Sequence, residues 1–164
     1  MGALISFELA RELRRRRFAA PQRLFLSGRG APNVASREAP IFNLPEEAFI
    51  AEVRKFNGTP KGVFDHPETM KFFLPVLRAD LEMLDTYEYH PEERLSCPIT
   101  VYGGQQDKDV DVENLRAWEE HTSASCNLRI FTGDHFFIHS PGIGFVDAFR
   151  RDVLSALHHP VQPV

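Results

Sequence analysis

The start of this chain has more hydrophobic positions than a helix with a single apolar side would have. Residues 2–17 predict a helix with few polar positions in its first three turns, and a helix that is apolar nearly all round is buried on several sides. The apolar run over residues 24–26 predicts a strand buried on both faces, as in a parallel sheet. Residues 28–40 are rich in Gly, Pro, Ser and Asn and predict a loop.

A helical pattern without strands follows this loop. Pro45, with two glutamates directly after it, predicts the start of a helix over residues 45–55. Apolar side chains at helical spacing predict a longer helical region over residues 67–87, and Pro75 inside it indicates either a kinked helix or two helices. We therefore expect an all-helical insert over about residues 45–90.

Short apolar runs and helical patterns alternate in the last part of the chain. Strands are predicted at residues 98–102 and 128–131, and helices at residues 111–121 and 146–157. This alternation predicts an α/β fold, in which a parallel sheet carries helices on its faces. Chemistry in such a sheet lies at the carboxyl ends of the strands.

Composition and charge exclude several classes of protein. The chain is 43% hydrophobic and 26% charged, with a net charge of −4 and a pI of about 6.0, so it is neither a basic nucleic-acid binder nor suited to anionic membranes. It has no run of 18 apolar residues, and we expect no membrane span. Two cysteines without a disulfide framework predict a reduced, cytoplasmic setting. Cys97 and Cys126 show no metal-binding or disulfide spacing, and we interpret both as packing residues.

A carboxylate and a histidine follow the last two predicted strands. Asp107 and His135 lie on successive loops, the arrangement in which a carboxylate orients a histidine that acts as general base and then acid. Asp109 and Asp111 are alternatives for the carboxylate, but either can cap the next helix. His135 and His139 are spaced like metal ligands, but the glycine and aromatic residues around them favour a loop, and we predict no metal site.

The nucleophile that such a pair serves is absent from the sequence. In α/β-hydrolases the order is Ser, then Asp or Glu, then His, and the serine lies in a G-x-S-x-G turn between a strand and a helix. No serine of this chain fits that pattern: Ser27 follows a strand, but Phe25 stands where glycine is needed. The opening Met1-Gly2-Ala3-Leu4 leads into a helix, as the residues after such a serine do.

Five segments together resemble the type II (editing) thioesterases of polyketide and nonribosomal-peptide synthesis, which belong to the α/β-hydrolase superfamily. The match spans nearly the whole chain. The helical insert over about residues 45–90 resembles the helical lid of this family, and the segment around Phe73-Leu74-Pro75 is the most specific part of the match. The segments are residues 1–10, 24–32, 73–80 with 87–89, 97–107, and 133–137.

The resemblance implies a chemistry and a partner. Such enzymes hydrolyse acyl or peptidyl groups from the phosphopantetheine arm of acyl or peptidyl carrier proteins, without metal or dissociable cofactor, through a serine acyl-enzyme. It assigns Asp107 and His135 to the catalytic triad, places the serine immediately before Met1, and gives the backbone N–H of Met1 to the oxyanion hole. We also expect no nucleic-acid or membrane partner and a monomer at full length.

The lid residues and the chain as a whole leave alternatives open. Met70, Phe73 and Leu77 either line the substrate site or are plain core. We expect the N-terminal third of the domain, including the serine, to be missing, so that this chain alone is inactive. The alternatives are a degenerate fragment that at most binds a carrier protein, and an α/β-hydrolase of another specificity, such as a carboxylesterase.

Overall fold

The computed structural model describes residues 1–34, 39–56, 58, 61–139, 142 and 144–158 of the 164. The chain divides into two compact units, one of Met1–Val34 with Pro91–Val164 and one of Ala35–His90. The elements in chain order are α1 (Gly2–Arg15), β1 (Leu24–Ser27), α2 (Glu46–Lys55), α3 (Lys61–Phe64), α4 (Pro67–Asp85), β2 (Ile99–Gly104), α5 (Val112–Arg116), a 3₁₀ helix (Ala117–His121), β3 (Cys126–Phe131), a 3₁₀ turn (Phe137–His139) and α6 (Phe145–His158).

The first unit is built on a parallel sheet in the order β1-β2-β3. Leu24 lies opposite Ile99, and Ile99 opposite Cys126, so the three strands run side by side and end at the same edge. Every residue of β2 is buried, as expected for the middle strand of a sheet covered on both faces. The predicted α/β class is therefore confirmed.

Aromatic and aliphatic side chains hold helices against both faces of this sheet. On one face, Phe7 of α1 packs edge-on against Trp118, which is fully buried. On the other face, Phe149 of α6 packs against Phe25 and Tyr102. Alternate residues of β1 and β2 point to opposite faces, which is why apolar residues occupy consecutive positions in these strands.

Helix α1 is buried on one side, and the prediction that it is buried on several sides is wrong. Its buried apolar residues are Ala3, Leu4, Phe7 and Ala10. Ile5 and Leu9, one turn apart, are 48% and 56% exposed. An apolar side chain on a helix does not identify the packed face when apolar residues surround the axis.

The second unit is helical and has a small core of its own. Phe49, Val53, Met70 and Leu74 form this core, and Leu77 packs against it from α4. Helix α4 passes through Pro75 as one helix, which decides between the two sequence alternatives. No helix among the described residues is both long and apolar enough to span a membrane.

Candidate active site

Backbone hydrogen bonds join the loops that follow β2 and β3. Gln105 N–H donates to the carbonyl of Phe131 at 2.7 Å, and Gln106 N–H donates to that of Gly133 at 2.9 Å. The side-chain oxygen of Gln106 accepts a bond from the N–H of Gly133 in return. The two loops therefore continue the pairing of their strands beyond the sheet. This pairing brings together Asp107 and His135, which come next in the two loops.

The glycine at the end of β2 permits this approach. A Cβ on Gly104 would overlap the carbonyl oxygen of Asp134 and lie 2.6 Å from that of Gly133. Both are backbone atoms, so they cannot rotate away as a side-chain end can. Gly104 thus lets the turn that carries His135 lie directly on the end of β2.

Asp107 is the buried acceptor of this site. Its Oδ1 accepts bonds from the N–H groups of Asp109 and Val110 at 2.9 and 3.2 Å, and its Oδ2 lies 2.9 Å from Nδ1 of His135. Only 1% of its side chain is exposed. Burial raises the pKa of Asp107, but the bonds from His135, Asp109 and Val110 lower it, and the net pKa lies below the ordinary value of 3.8. Asp107 is therefore an ionised acceptor near neutral pH.

His135 is held by this carboxylate through one ring nitrogen. An ionised carboxylate only accepts hydrogen bonds, so Nδ1 carries the proton and Nε2 of the neutral ring is free to accept one. The hydrogen bond to Asp107 raises the pKa of His135, burial lowers it, and the net pKa lies above 6.5. With 35% of the side chain exposed, the ring is poised to take a proton from a group outside.

Met1 lies near the same imidazole. The bond to Asp107 dominates the pKa of His135, and the positive amino group of Met1 is among the influences that lower it. Met1 is the N-cap of α1, and its carbonyl accepts bonds from the N–H groups of Leu4 and Ile5. The amino group at the start of α1 is therefore within electrostatic range of His135. The oxyanion-hole role of Met1 stays a prediction.

Among the described residues, no serine hydrogen-bonds to the imidazole of His135, which is bonded to Asp107. Ser27 is exposed at the end of β1. Ser36 and Ser140, which the sequence pattern also rejects, lie outside the described residues.

The three lid residues do not share one environment. Met70 belongs to the core of the helical unit and the partly buried Leu77 packs against it, which favours the plain-core alternative for both. Their role at the substrate stays a prediction. Phe73 is 44% exposed on α4, beside the exposed Phe72. Its role at the substrate stays a prediction.

A metal ion has one candidate set of ligands among the described residues. Asp107, Asp109 and His135 offer ligand atoms that all lie within 4.8 Å of one another, and His139 is not among them. His139 stacks instead on Phe136. Because Oδ2 of Asp107 and Nδ1 of His135 already bond each other, the structure needs no ion to explain the pair. That the protein uses no metal stays a prediction.

Sequence reasoning missed two residues of the site. Gln106 links the acid and histidine loops, and Gly28 after β1 lies against the imidazole of His135. Gln106 directly precedes Asp107 in the sequence, but nothing in the sequence indicates its bond to Gly133. The only signal for Gly28 was a glycine placed directly after a buried strand.

The chain resembles known proteins along most of its length. A family model for the thioesterase domain matches residues 1–151. The chain is 45% identical over 143 residues to the protein named linear gramicidin dehydrogenase LgrE of Brevibacillus parabrevis, an alignment that covers 85% of this chain and 54% of that protein.

Solved structures show the same likeness. ClbQ from the colibactin NRPS/PKS pathway superposes with a TM-score of 0.86 at 31% identity, over 95% of this chain and 66% of that one. The type II thioesterase BorB from the borrelidin biosynthetic cluster superposes with a TM-score of 0.79 at 32% identity, over 94% and 61%. These folds confirm the predicted partial α/β-hydrolase architecture.

The chain spans about half the length of the curated relative it matches, and under two thirds of each of these solved chains. The likeness nevertheless covers both loops of the site, because the family model includes Asp107 and His135. Since that model matches most of the 164 residues, the chain belongs to the thioesterase domain family and resembles its type II members.

Proposed function

We propose that this chain supplies the acid and the base of a serine thioesterase that hydrolyses acyl or peptidyl groups from carrier-protein phosphopantetheine. One observation carries the proposal: Nδ1 of His135 lies 2.9 Å from Oδ2 of Asp107 in a member of the thioesterase family. The relatives named above come from peptide and polyketide pathways, which supports a substrate attached to a carrier protein.

The geometry of the pair suits proton transfer at Nε2 of His135. A serine oxygen attacks the thioester carbonyl while Nε2 takes its proton, and the tetrahedral intermediate expels the thiolate sulfur, which receives that proton. Water then attacks the acyl-serine ester in the same way, releasing the acid and restoring the serine. Asp107 holds the tautomer and stabilises the imidazolium in both halves, and neither half requires a metal or a cofactor.

The serine in this proposal is the one that the family resemblance places immediately before Met1. The position of Met1 supports it, because the amino group of Met1 is close enough to His135 to lower the pKa of the imidazole. The inactivity of this chain by itself, a monomeric full-length enzyme and a cytoplasmic location remain parts of the proposal.

Hydrolysis of a short acyl thioester tests the proposal. The chain as given is compared with a form extended upstream in frame through the expected serine, and with the extended form carrying His135→Gln. We expect hydrolysis by the extended form alone. Hydrolysis by the chain as given would overturn the assignment of the nucleophile.

The same assay separates the remaining alternatives. Faster hydrolysis of the matched oxygen ester than of the thioester indicates a carboxylesterase. An extended form that is folded, inactive on both esters and still able to bind an acyl carrier protein indicates a degenerate binding fragment.

A further inference from the structure

Gly28 lies with its backbone against the imidazole of His135. A Cβ at this position would be 3.1 Å from Cε1, 3.3 Å from Nε2 and 3.6 Å from Nδ1 of that ring. The first two distances are shorter than ordinary van der Waals contacts, so the ring would have to move by a few tenths of an ångström. The absence of a side chain at residue 28 therefore lets His135 keep its place beside Asp107 without this shift.

The backbone at Gly28 cannot move away to make room. Gly28 N–H donates to the carbonyl of Tyr102 at 3.0 Å, which extends the pairing of β1 with β2. The indole N–H of Trp118 donates to the carbonyl of Arg29 at 2.8 Å, and Ala31 N–H donates to that of Asn114 at 2.9 Å. Bonds to three separate elements fix the segment on both sides of Gly28, so the imidazole is the part that yields.

We propose that Gly28 is a positioning residue for His135, keeping the imidazole in hydrogen-bond contact with Asp107 and leaving Nε2 accessible. This inference deepens the proposed function, on which it rests for the catalytic role of His135. A side chain at position 28 pushes the ring at its Cε1–Nε2 edge, the edge that carries the accepting nitrogen. The ring then loses its bond to Asp107, and with that bond its alignment with the nucleophile.

A second role of Gly28 has to be separated from this one. Its φ of +61° lies in the left-handed region, where glycine is favoured whatever the surrounding space. Asparagine tolerates this region better than other residues but has a Cβ, so Gly28→Asn reduces the backbone strain and keeps the contact with the ring. Gly144 offers the matched control, since its φ is +71° and a Cβ there meets nothing within 4 Å.

NMR titration of the His135 imidazole in the whole chain tests the proposal without any catalytic assay. We expect Gly28→Ala and Gly28→Asn to lower the pKa of His135 towards 6.5, as the bond to Asp107 weakens, and Gly144→Ala to leave it raised. The charges of Asp109 and of the amino terminus also act on this imidazole and are the same in all four proteins. A raised pKa retained in both Gly28 variants would overturn the proposal.

Measurements of stability and of catalysis complete the experiment. Urea unfolding of each variant shows whether it is folded, and Gly28→Asn decides the matter if strain alone unfolds Gly28→Ala. In the form extended through the expected serine, we expect both Gly28 variants to lower kcat about tenfold or more with little change in KM, because small misplacement of a base slows chemistry steeply. If the extended form is inactive, the proposed function fails, while the titration still decides the role of Gly28.

Discussion

Nδ1 of His135 lies 2.9 Å from Oδ2 of Asp107, although 28 residues separate the two in the sequence. The parallel pairing of β2 with β3 brings them together, because both strands end at one edge and their loops bond each other there. The pair combines a buried carboxylate with a partly exposed imidazole. Asp107 can therefore stabilise the positive charge that the ring gains when Nε2 takes a proton from a group outside.

Asp107→Asn removes the charge that raises the pKa of His135. We expect the pKa of the imidazole to fall below its value in the unchanged protein, because a neutral amide no longer favours the imidazolium. NMR titration of His135 measures the shift. His139→Gln is the control, since His139 stacks on Phe136 and takes no part in the bond.

The same substitution changes how stability depends on pH. The raised pKa of His135 gives stability that is fully present below 6.5 and is lost as pH rises through the folded-state pKa. The lowered pKa of Asp107 gives stability that is present above 3.8 and is lost as pH falls through the folded-state pKa. The unchanged protein should therefore be more stable than Asp107→Asn by the largest amount between pH 3.8 and pH 6.5. Thermal unfolding of both proteins at about pH 5 and at about pH 9 measures this difference in stability. Equal differences at both pH values would contradict the pairing.

Gly104→Ala should disturb the fold at the site more than an ordinary surface change does. The new Cβ meets the backbone of Gly133 and Asp134, and overpacking against atoms that cannot rotate away costs about 1–3 kcal/mol. Equilibrium unfolding in urea measures the loss. Gly62→Ala is the control: a Cβ there meets nothing within 4 Å, and alanine in helix α3 is neutral or stabilising. A Gly104→Ala protein as stable as the control would rule out this close approach.

The Asp107–His135 pair could be predicted from sequence because it depends on few features of the fold. Both residues directly follow short strands, and consecutive parallel strands end at the same edge of a sheet. The contact of Gly28 with His135 depends on more features: the place of β1 beside β2, the positive φ of Gly28, a bond from Trp118 to Arg29, and a bond from Ala31 to the carbonyl of Asn114. None of these leaves a pattern in the sequence.

Burial within the helices was harder to predict than the helices themselves. In α4 the residues facing the core are Met70, Leu74 and Leu77, while Phe73 lies at the margin of this stripe and is exposed. Periodicity locates an apolar face to within about one residue on either side, and packing decides the rest. In α1 apolar residues surround the axis, so the sequence carried no information about which side packs.

Phe7→Ala and Leu9→Ala test which side of α1 is packed. Phe7 is buried against Trp118 and His121, and truncating a buried phenylalanine costs about 3–5 kcal/mol. Leu9 is exposed two residues further on, and surface substitutions usually change stability by about 0.5 kcal/mol or less. Urea unfolding of the two variants gives the comparison. Similar losses for both would mean that Leu9 is packed and that the assigned face of α1 is wrong.

Glu92→Gln should destabilise the protein at neutral pH. Glu92 accepts ion pairs from Arg11 and Arg14 at 2.6 Å and from Arg15 at 2.9 Å, and the side chain of Arg11 is only 4% exposed. Arg11 keeps its pair with Glu8, but the guanidinium nitrogen that faces Glu92 loses its charged acceptor in a buried position, which costs about 1–3 kcal/mol. Glu12→Gln is the control, since its pairs with Arg15 and Arg16 are exposed and such pairs contribute little.

Acid should remove this difference between Glu92→Gln and the unchanged protein. The bond from Arg15 is the largest influence on the pKa of Glu92; with the bonds from Arg11 and Arg14, and against burial, it lowers that pKa to about 2. A lowered pKa gives stability that is present above the ordinary value of 4.5 and is lost as pH falls toward about 2. The two proteins should therefore differ by a constant amount near neutral pH and converge below 4.5. A difference that stays constant into acid would show that the glutamate acts through its shape and not through its charge.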